Sequence, residues 1–509
     1  SSLNDALAQK TAGTQTITTL SAIEETSDGG YALLGNLTLG GEKITYSGAS
    51  LTFLGGGVNA TLTVNADMAL TTNSSGLLGV SYDGRPMTVK INSDVRAYIY
   101  YAYTGSTTIV NESGKLFATG EQLLARGTGT TITYNGNAAV GAAFEERTLQ
   151  GGAGFLQLRD SGNIALNNTL FEVTAGAVSV NHISGTGSRL LLNNTYINDK
   201  GHPDSRNSQF IINAGDGLVQ VDNHSSLVFC GSGVGTMTVN GNGSKLEITG
   251  NSLVSGYAVT NSGTIDVTGS ALSAVSLANT GTVNVSEDSK ISAAFTGELS
   301  IKDGAVLTTD GLTGTGHLVI DEGATATLSG SGFDFNGYIY GATNKYNQEG
   351  VAGFTLNIEN AEDFSNSALY ASNASRYNLM NSKVETTTLN VNATGKVAAD
   401  KDSSVTVESA HILGALETSG ELVADIFNIY AGFGADDAAG QVSLKSGSST
   451  TVYRLLNIGT ANRPDAKYNA TATGDDEKIA KLDLDNATLK FVAIHGEVPH
   501  FYVGSDSSA

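Results

Sequence analysis

Four copies of one phrase decide the reading of this sequence: NSGTIDV at 261–267, NTGTVNV at 279–285, FTGELSI at 295–301 and GTGHLVI at 314–320. Their lead glycines, Gly263, Gly281, Gly297 and Gly316, step by 18, 16 and 19 residues. Each glycine is followed by an apolar doublet: Ile265/Val267, Val283/Val285, Leu299/Ile301 and Leu318/Ile320. Residues two apart share one face of a strand, so each doublet points inward, while Asp266, Asn284, Ser300 and Val319 point outward. The phrase recurs upstream in GAVSV (Val178/Val180), GLVQV (Val219/Val221) and GTMTV (Met237/Val239), and SKLEI then reads as the next strand of the same coil. Downstream, Leu389/Val391, Val405/Val407, Leu422/Ala424 and Val442/Leu444 step by 16, 17 and 20. A repeat this short does not fit a propeller blade and lacks leucine-rich or ankyrin signatures, which leaves stacked parallel coils.

The expected fold is therefore all-β: a right-handed parallel β-helix, or β-solenoid, forming a single elongated rod. At ~18–20 residues per coil and ~4.8 Å between paired strands, about 25 coils would span on the order of 120 Å. Composition agrees. The 509 residues include 63 Gly but only 4 Pro and no Trp, with Asn, Thr and Ser at most polar positions. Gly and Asn accept turn geometry, and Thr and Val suit a pleated surface. Charged residues make up only 15% of the chain, which leaves long helices without solvated faces.

The ends of such a sheet need covering. Residues 2–10, SLNDALAQK, read as a short helix with Leu3 and Leu7 on one face, and TQTITTL supplies the first strand. Five segments follow from the rhythm: 1–30, a cap and first coil; 31–160, less regular coils; 161–330, the most regular coils; 331–385, an irregular insertion or side loop with room for a helical turn; and 386–509, resumed coils that stop in mid-pattern. Within the last segment, 461–480 reads as a loop, and Leu482, Leu484, Leu489 and Phe491 read as inward.

Charge narrows the partners. With 49 acidic against 27 basic residues the net charge is −22, so nucleic acid and anionic membrane surfaces are disfavoured. The single cysteine, Cys230, follows Leu227, Val228 and Phe229 and reads as a buried thiol; no intrachain disulfide is available to it. No stretch approaches the ~18 apolar residues of a membrane-spanning helix.

The SLNDALAQ…TQTITTL start and the NSGTIDV/NTGTVNV phrases resemble the β-helical passenger regions of autotransporters, the type V secreted proteins of Gram-negative bacteria. The resemblance is architectural and covers nearly the whole chain. It implies a secreted or cell-surface protein, tethered by a C-terminal membrane barrel beyond Ala509. The task it implies is adhesion, autoaggregation or biofilm formation, with a host-cell protein, matrix protein, glycan or sister copy as partner.

Catalytic signatures are not found. There is no G-x-S-x-G, H-E-x-x-H or P-loop motif, and the seven histidines, His182, His202, His224, His317, His411, His495 and His500, are scattered. The chain is expected not to be an enzyme and to carry no cofactor. Asp483 and Asp485, alternating in LDLDN, are the candidate Ca²⁺ ligands, and Asp436, Asp437, Asp475, Asp476 and Glu477 read as solvated loop charge. The binding candidates are aromatic: Tyr98, Tyr100, Tyr101 and Tyr103 in AYIYYAY, and Tyr338, Tyr340 and Tyr346 near the irregular insertion. Tyrosine joins a large apolar face to a hydroxyl and so suits sugars and protein contacts, although one pair of the first cluster can equally be core. The N-x-S/T triplets at Asn36, Asn59, Asn111, Asn242, Asn373, Asn392, Asn469 and Asn486 read as turn asparagines stacked between coils. Two rival functions remain: a self-assembling surface-layer or filament subunit, and a polysaccharide-active β-helix of the tailspike or lyase kind.

Overall fold

The structure, a computed structural model, describes residues 2–508 outside the segments 10–12, 27–28, 48–49, 56–58, 71–76, 82–84, 104, 137–148, 152–155, 174–178, 185, 200–206, 214–215, 230–233, 343–352, 372–373, 431–438, 460–479, 493–499 and 504–506. It divides into two compact units, Ser1–Thr282 and Val283–Ala509.

The first unit is a parallel β-helix with three strand faces per coil. Gln15–Thr19 pairs with Leu37–Gly41 on the first face, Ile23–Glu25 with Ile44–Tyr46 on the second, and Gly29–Leu33 with Ser50–Gly55 on the third, all in parallel. The second unit repeats the plan. Glu298–Ile301 pairs with His317–Ile320, Val306–Thr309 with Thr325–Gly330, and Leu312–Gly314 with the first half of Phe333–Gly341, again in parallel. The inward doublets of the decisive phrase, from Ile265/Val267 to Leu318/Ile320, are buried to within 1% exposure. Each such side chain contributes ~1.5–3 kcal/mol of apolar transfer, and this periodic burial is what holds the coils.

Where the decisive phrase repeats, the coil period equals its spacing, with Asn284 paired to Ser300, 16 residues on, and Glu298 to His317, 19 on; elsewhere the period is less even. Thr88 pairs with Thr107, 19 residues on, while Thr131 pairs with Asn163, 32 on. The doublet spacing mixes faces with coils. Val219 pairs with Leu246 and Met237 with Val259, so GLVQV and GTMTV lie on different faces, not in successive coils. Likewise Leu389 pairs with Ala410, while Val405 pairs with Leu422. All three faces need the same inward doublet, so spacing alone does not tell one face from the next.

Where it is described, segment 331–385 is built of strands, with a register shift between Phe335 and Tyr338. It carries the strands Phe333–Gly341, Thr355–Glu359, Phe364–Ala371 and Arg376–Met380, in parallel register with their neighbours. Phe333, Phe335 and Phe364 form an internal aromatic cluster, with Phe333 and Phe364 ring centroids 5.4 Å apart. The asparagines and glycines that suggested a loop serve a sharp bend. A Cβ at Gly337 would lie 1.6 Å from the Gly316 carbonyl oxygen, so only glycine fits where two coils approach this closely.

The helix expected at the start is present as Leu3–Ala8, with a reciprocal capping box between Ser2 and Asp5, and Leu3 and Leu7 buried. It lies against the strands Ile23–Glu25 and Gly29–Leu33 of the first coil. At the other end, Leu482 is buried, but Leu484 is 44% and Phe491 41% exposed, contrary to the inward reading. Among the described residues, the Thr488–Phe491 strand is paired on one side only, with Ser449–Ile458, so its apolar side chains lack a covering coil.

Asparagines stack between coils, at turns and within strands, although of the eight expected at turns only Asn111 is among those paired here. Asn92 Nδ2 donates to Asn65 Oδ1 at 2.8 Å and Asn111 bonds to Asn92 in turn. Asn378 donates to Asn357 and Asn381 to Asn360, both at 2.9 Å. Asn373 and Asn469 lie outside the described residues, as do Cys230, His202 and His495 and the acidic loop residues Asp436, Asp437, Asp475, Asp476 and Glu477.

Candidate functional site

Several strands of the second unit bend midway and serve two faces. In Lys383–Val391 the buried residues are Val384, Thr386, Leu389 and Val391; in Ser404–Ile412 they are Val405, Val407, Ala410 and Ile412; in Glu421–Ile429 they are Leu422, Ala424, Phe427 and Ile429, together with Asn428 at 5% exposure. The inward series runs i, i+2, i+5, i+7. This one-residue slip in a period of two turns the chain through a corner and leaves two successive outward residues there.

Stacked corners make a continuous re-entrant groove on the outside of this unit. One part, about 250 Å³, is lined by Asn366, Thr387, Thr406, Glu408, Asp425 and Tyr453, among others. A second part, about 280 Å³, shares Ser365, Glu385 and Thr406 with the first and adds Glu362, Asp363 and Lys383. Parallel register sets the spacing: Ser365 pairs with Glu385, Glu385 with Thr406, and Thr406 with Val423. Successive rungs therefore offer a hydroxyl, a carboxylate and a hydroxyl at intervals of ~4.8 Å along a rigid wall.

The groove is acidic. Among the described residues neither Glu385 nor Glu408 forms an ion pair, whereas Asp425 accepts from Arg454 Nε at 2.6 Å. Asn366 sits at its floor, 5% exposed. Its Nδ2 donates to the Ala368 carbonyl at 2.8 Å across the bend, and its Oδ1 is buried without a partner. In the next coil Thr386 Oγ1 donates to the Thr388 carbonyl at 3.1 Å in the same manner, whereas the equivalent positions of the following two coils are the apolar Val407 and Ala424.

An aromatic platform follows Asn336 of the lining closely in the chain. Tyr338 lies two residues beyond Asn336, which lines the groove, and is 43% exposed. Its ring stacks on His317 with centroids 5.5 Å apart and planes within 5°, and Tyr370 lies 5.9 Å away on its other side. The Tyr338 amide donates to His317 Nδ1 at 2.9 Å, which fixes that imidazole. Tyr340 is turned away from this role: 9% exposed, it donates its hydroxyl to Glu298 Oε1 at 2.7 Å. Val319, expected to face outward, is 7% exposed and lies in register with Tyr340. Tyr346 lies outside the described residues.

The tyrosines of AYIYYAY divide by burial. Tyr100 is fully buried, its hydroxyl 2.6 Å from Thr108 Oγ1, and burial raises its phenol well above the ordinary range. Tyr101 and Tyr103 are half-buried on the outward side, edge to face at 5.8 Å, and Tyr98 is half-buried at the bend. Core packing thus claims Tyr100, while the Tyr101–Tyr103 pair remains at the surface of the first unit.

Asp483 and Asp485 are both exposed. Among the described residues no group of three or more His, Cys, Asp or Glu is placed to hold a metal ion. No helix among them is long and apolar enough to cross a membrane.

Glu385, Glu408, Asp425 and Asn366 were not singled out by the sequence reading. Their signal was the slip from i, i+2 to i+5, i+7 in KVETTTLNV, SVTVESAHI and ELVADIFNI, which a search for uniform alternation passes over. Comparison with protein-family models, with curated proteins and with solved structures finds no match to this chain.

Proposed function

We propose that this chain is an extracellular adhesin of a bacterial surface, a passenger-type β-helix that holds its target without transforming it. The observation that carries the reading is the groove of the second unit, where hydroxyls, carboxylates and an aromatic platform stand on consecutive coils of a main-chain-paired wall. Such a wall is preorganised, so little ordering entropy opposes binding, and many modest polar contacts add along it. The −22 charge and the shortage of cysteine support an exposed, disulfide-independent surface role. Many copies on one cell would raise weak contacts to useful avidity.

The purified chain coupled to beads should retain epithelial cells, matrix proteins or polysaccharide in a saturable manner. Beads carrying a Glu385→Gln/Glu408→Gln/Tyr338→Ala variant should retain less. Absence of saturable retention on every surface would refute the reading.

A second reading is supported by Glu385, Glu408 and Asp425 lining one groove on neighbouring coils, since paired carboxylates serve glycoside hydrolysis. Release of reducing ends or unsaturated products from a polysaccharide panel, abolished by Glu385→Gln or Glu408→Gln, would favour it over adhesion.

A further inference from the structure

We propose that the groove of the second unit binds an extended polysaccharide bearing free amino groups; the proposal rests on the adhesin reading and names the ligand class of its site.

Charge decides the class. The lining holds Glu362, Asp363, Glu385, Glu408 and Asp425 against one lysine, Lys383, and Arg454 is engaged with Asp425. A concave surface of one sign between low-dielectric walls focuses its field, so acidic glycans are repelled and cationic ones concentrated. Glu385 and Glu408, with no ion pair among the described residues, are left to accept charge-assisted hydrogen bonds from sugar ammonium groups.

Two further features point to a sugar instead of a simple cation. Asn366 lines the groove with a buried Oδ1 that has no partner, so a turn of this side chain toward a bound sugar gains a hydrogen bond without giving up an existing acceptor contact. Beside the groove, the Tyr338 ring stands 43% exposed on the rigid support of His317, a face on which a pyranose ring can stack. Hydroxyls of Ser365, Thr387 and Thr406 lie between these features and suit the alternating donors and acceptors of a sugar chain.

The test titrates the full chain with chitosan oligosaccharides, their N-acetylated counterparts, neutral β-glucan oligosaccharides and polygalacturonate fragments. The chitosan oligosaccharides are expected to bind, and to weaken at high salt as the Debye length falls from ~8 Å to ~3 Å. The Glu385→Gln/Glu408→Gln variant should lose roughly tenfold in affinity or more with its unfolding midpoint unchanged, because these side chains are outward, and Tyr338→Ala a similar factor, beyond any shift in midpoint from its lost stacking on His317. Equal binding of the N-acetylated or neutral chains, tighter binding of the acidic one, or indifference to both variants would overturn the proposal. Saturable cell adhesion that ignores these variants would refute the ligand class and the groove as its site, and leave only adhesion by another surface standing. Amine-dependent binding without adhesion would do the reverse.

Discussion

Asn261 donates its side-chain amide to Asn279 Oδ1 at 2.8 Å, from one coil of the first unit to the next, with both residues at most 5% exposed. The same amide reaches the Thr282 carbonyl at 2.9 Å, and Asn261 Oδ1 accepts from the Gly263 amide at 3.1 Å. Asn279 repeats the turn, accepting from Gly281 N at 3.1 Å. The Asn-x-Gly of NSGTIDV and NTGTVNV is thus a buried corner cap that also ties consecutive coils. Asn261→Ala should cost the first unit about 2–4 kcal/mol, since it orphans several buried groups at ~1–3 kcal/mol each before relaxation. Urea unfolding followed by circular dichroism measures it; a loss below 0.5 kcal/mol would mean the corner is rehydrated without cost, against ~0.5 kcal/mol for an ordinary surface change.

Gly281→Ala should be at least as harmful. The new Cβ would lie 2.2 Å from the Gly263 carbonyl oxygen, a backbone atom that cannot step aside. Gly30→Ala is the control, with nothing within 4 Å of its Cβ, and should stay within ~0.5 kcal/mol of the parent. Equal unfolding midpoints for the two variants would contradict the close stacking of corners.

Tyr100 and Thr108 form an isolated buried pair at 2.6 Å. Tyr100→Phe and Thr108→Val should each cost ~1–3 kcal/mol by stranding the other hydroxyl, while the double variant should cost less than the two together. Strict additivity in a double-mutant cycle would show that the hydroxyls do not interact. Burial also raises the phenols of Tyr100, Tyr134 and Tyr377, so their contribution is present below pH 10 and lost as pH rises beyond it. Their phenolate absorbance should appear only on unfolding.

The second unit should lose stability in acid in two stages. Burial lowers His411 below its ordinary 6.5, where its Nδ1 lies 2.8 Å from the Tyr430 hydroxyl. The unfolded state takes up that proton first, so stability present above pH 6.5 falls as pH drops through the lowered value. At Asp400 burial works to raise the carboxyl, but hydrogen bonds from Ser403 Oγ at 2.6 Å and from the Asn381 and Asp402 amides outweigh it and leave a net lowering. Its contribution is present above 3.8 and lost below. Thermal unfolding against pH should show both stages, with His411→Gln flattening the first and Asp400→Asn the second; profiles unchanged by either substitution would contradict the assignment.

Much of this was legible beforehand because inward doublets such as Ile265/Val267 obey strand alternation regardless of context. The Leu3–Ala8 helix was legible too, through its two leucines four apart. Coil length was legible where one face repeats, as from Glu298 to His317, but not where doublets of different faces follow one another: Val405/Val407 and Leu389/Val391 differ in face without differing in chemistry. The FDFNGYIYG bend was hidden because its Asn and Gly carry the same signal in a loop as in a sharp corner. The groove depends on which outward residues of different coils meet, as Glu385 meets Thr406, and that pairing follows from register, which spacing left undetermined.

Parallel register is tested most directly by engineered disulfides in a Cys230→Ser background. Lys383 pairs with Ser404 and Asn390 with His411, all on outward positions. The pairs Lys383→Cys/Ser404→Cys and Asn390→Cys/His411→Cys should both oxidise readily, because paired Cα atoms fall within the ~4.4–6.8 Å that a disulfide spans. The crossed pair Lys383→Cys/His411→Cys should not. Peptide mass spectrometry of the oxidised variants that found only the crossed pair bonded would replace the parallel coil with an antiparallel hairpin and remove the groove along with it.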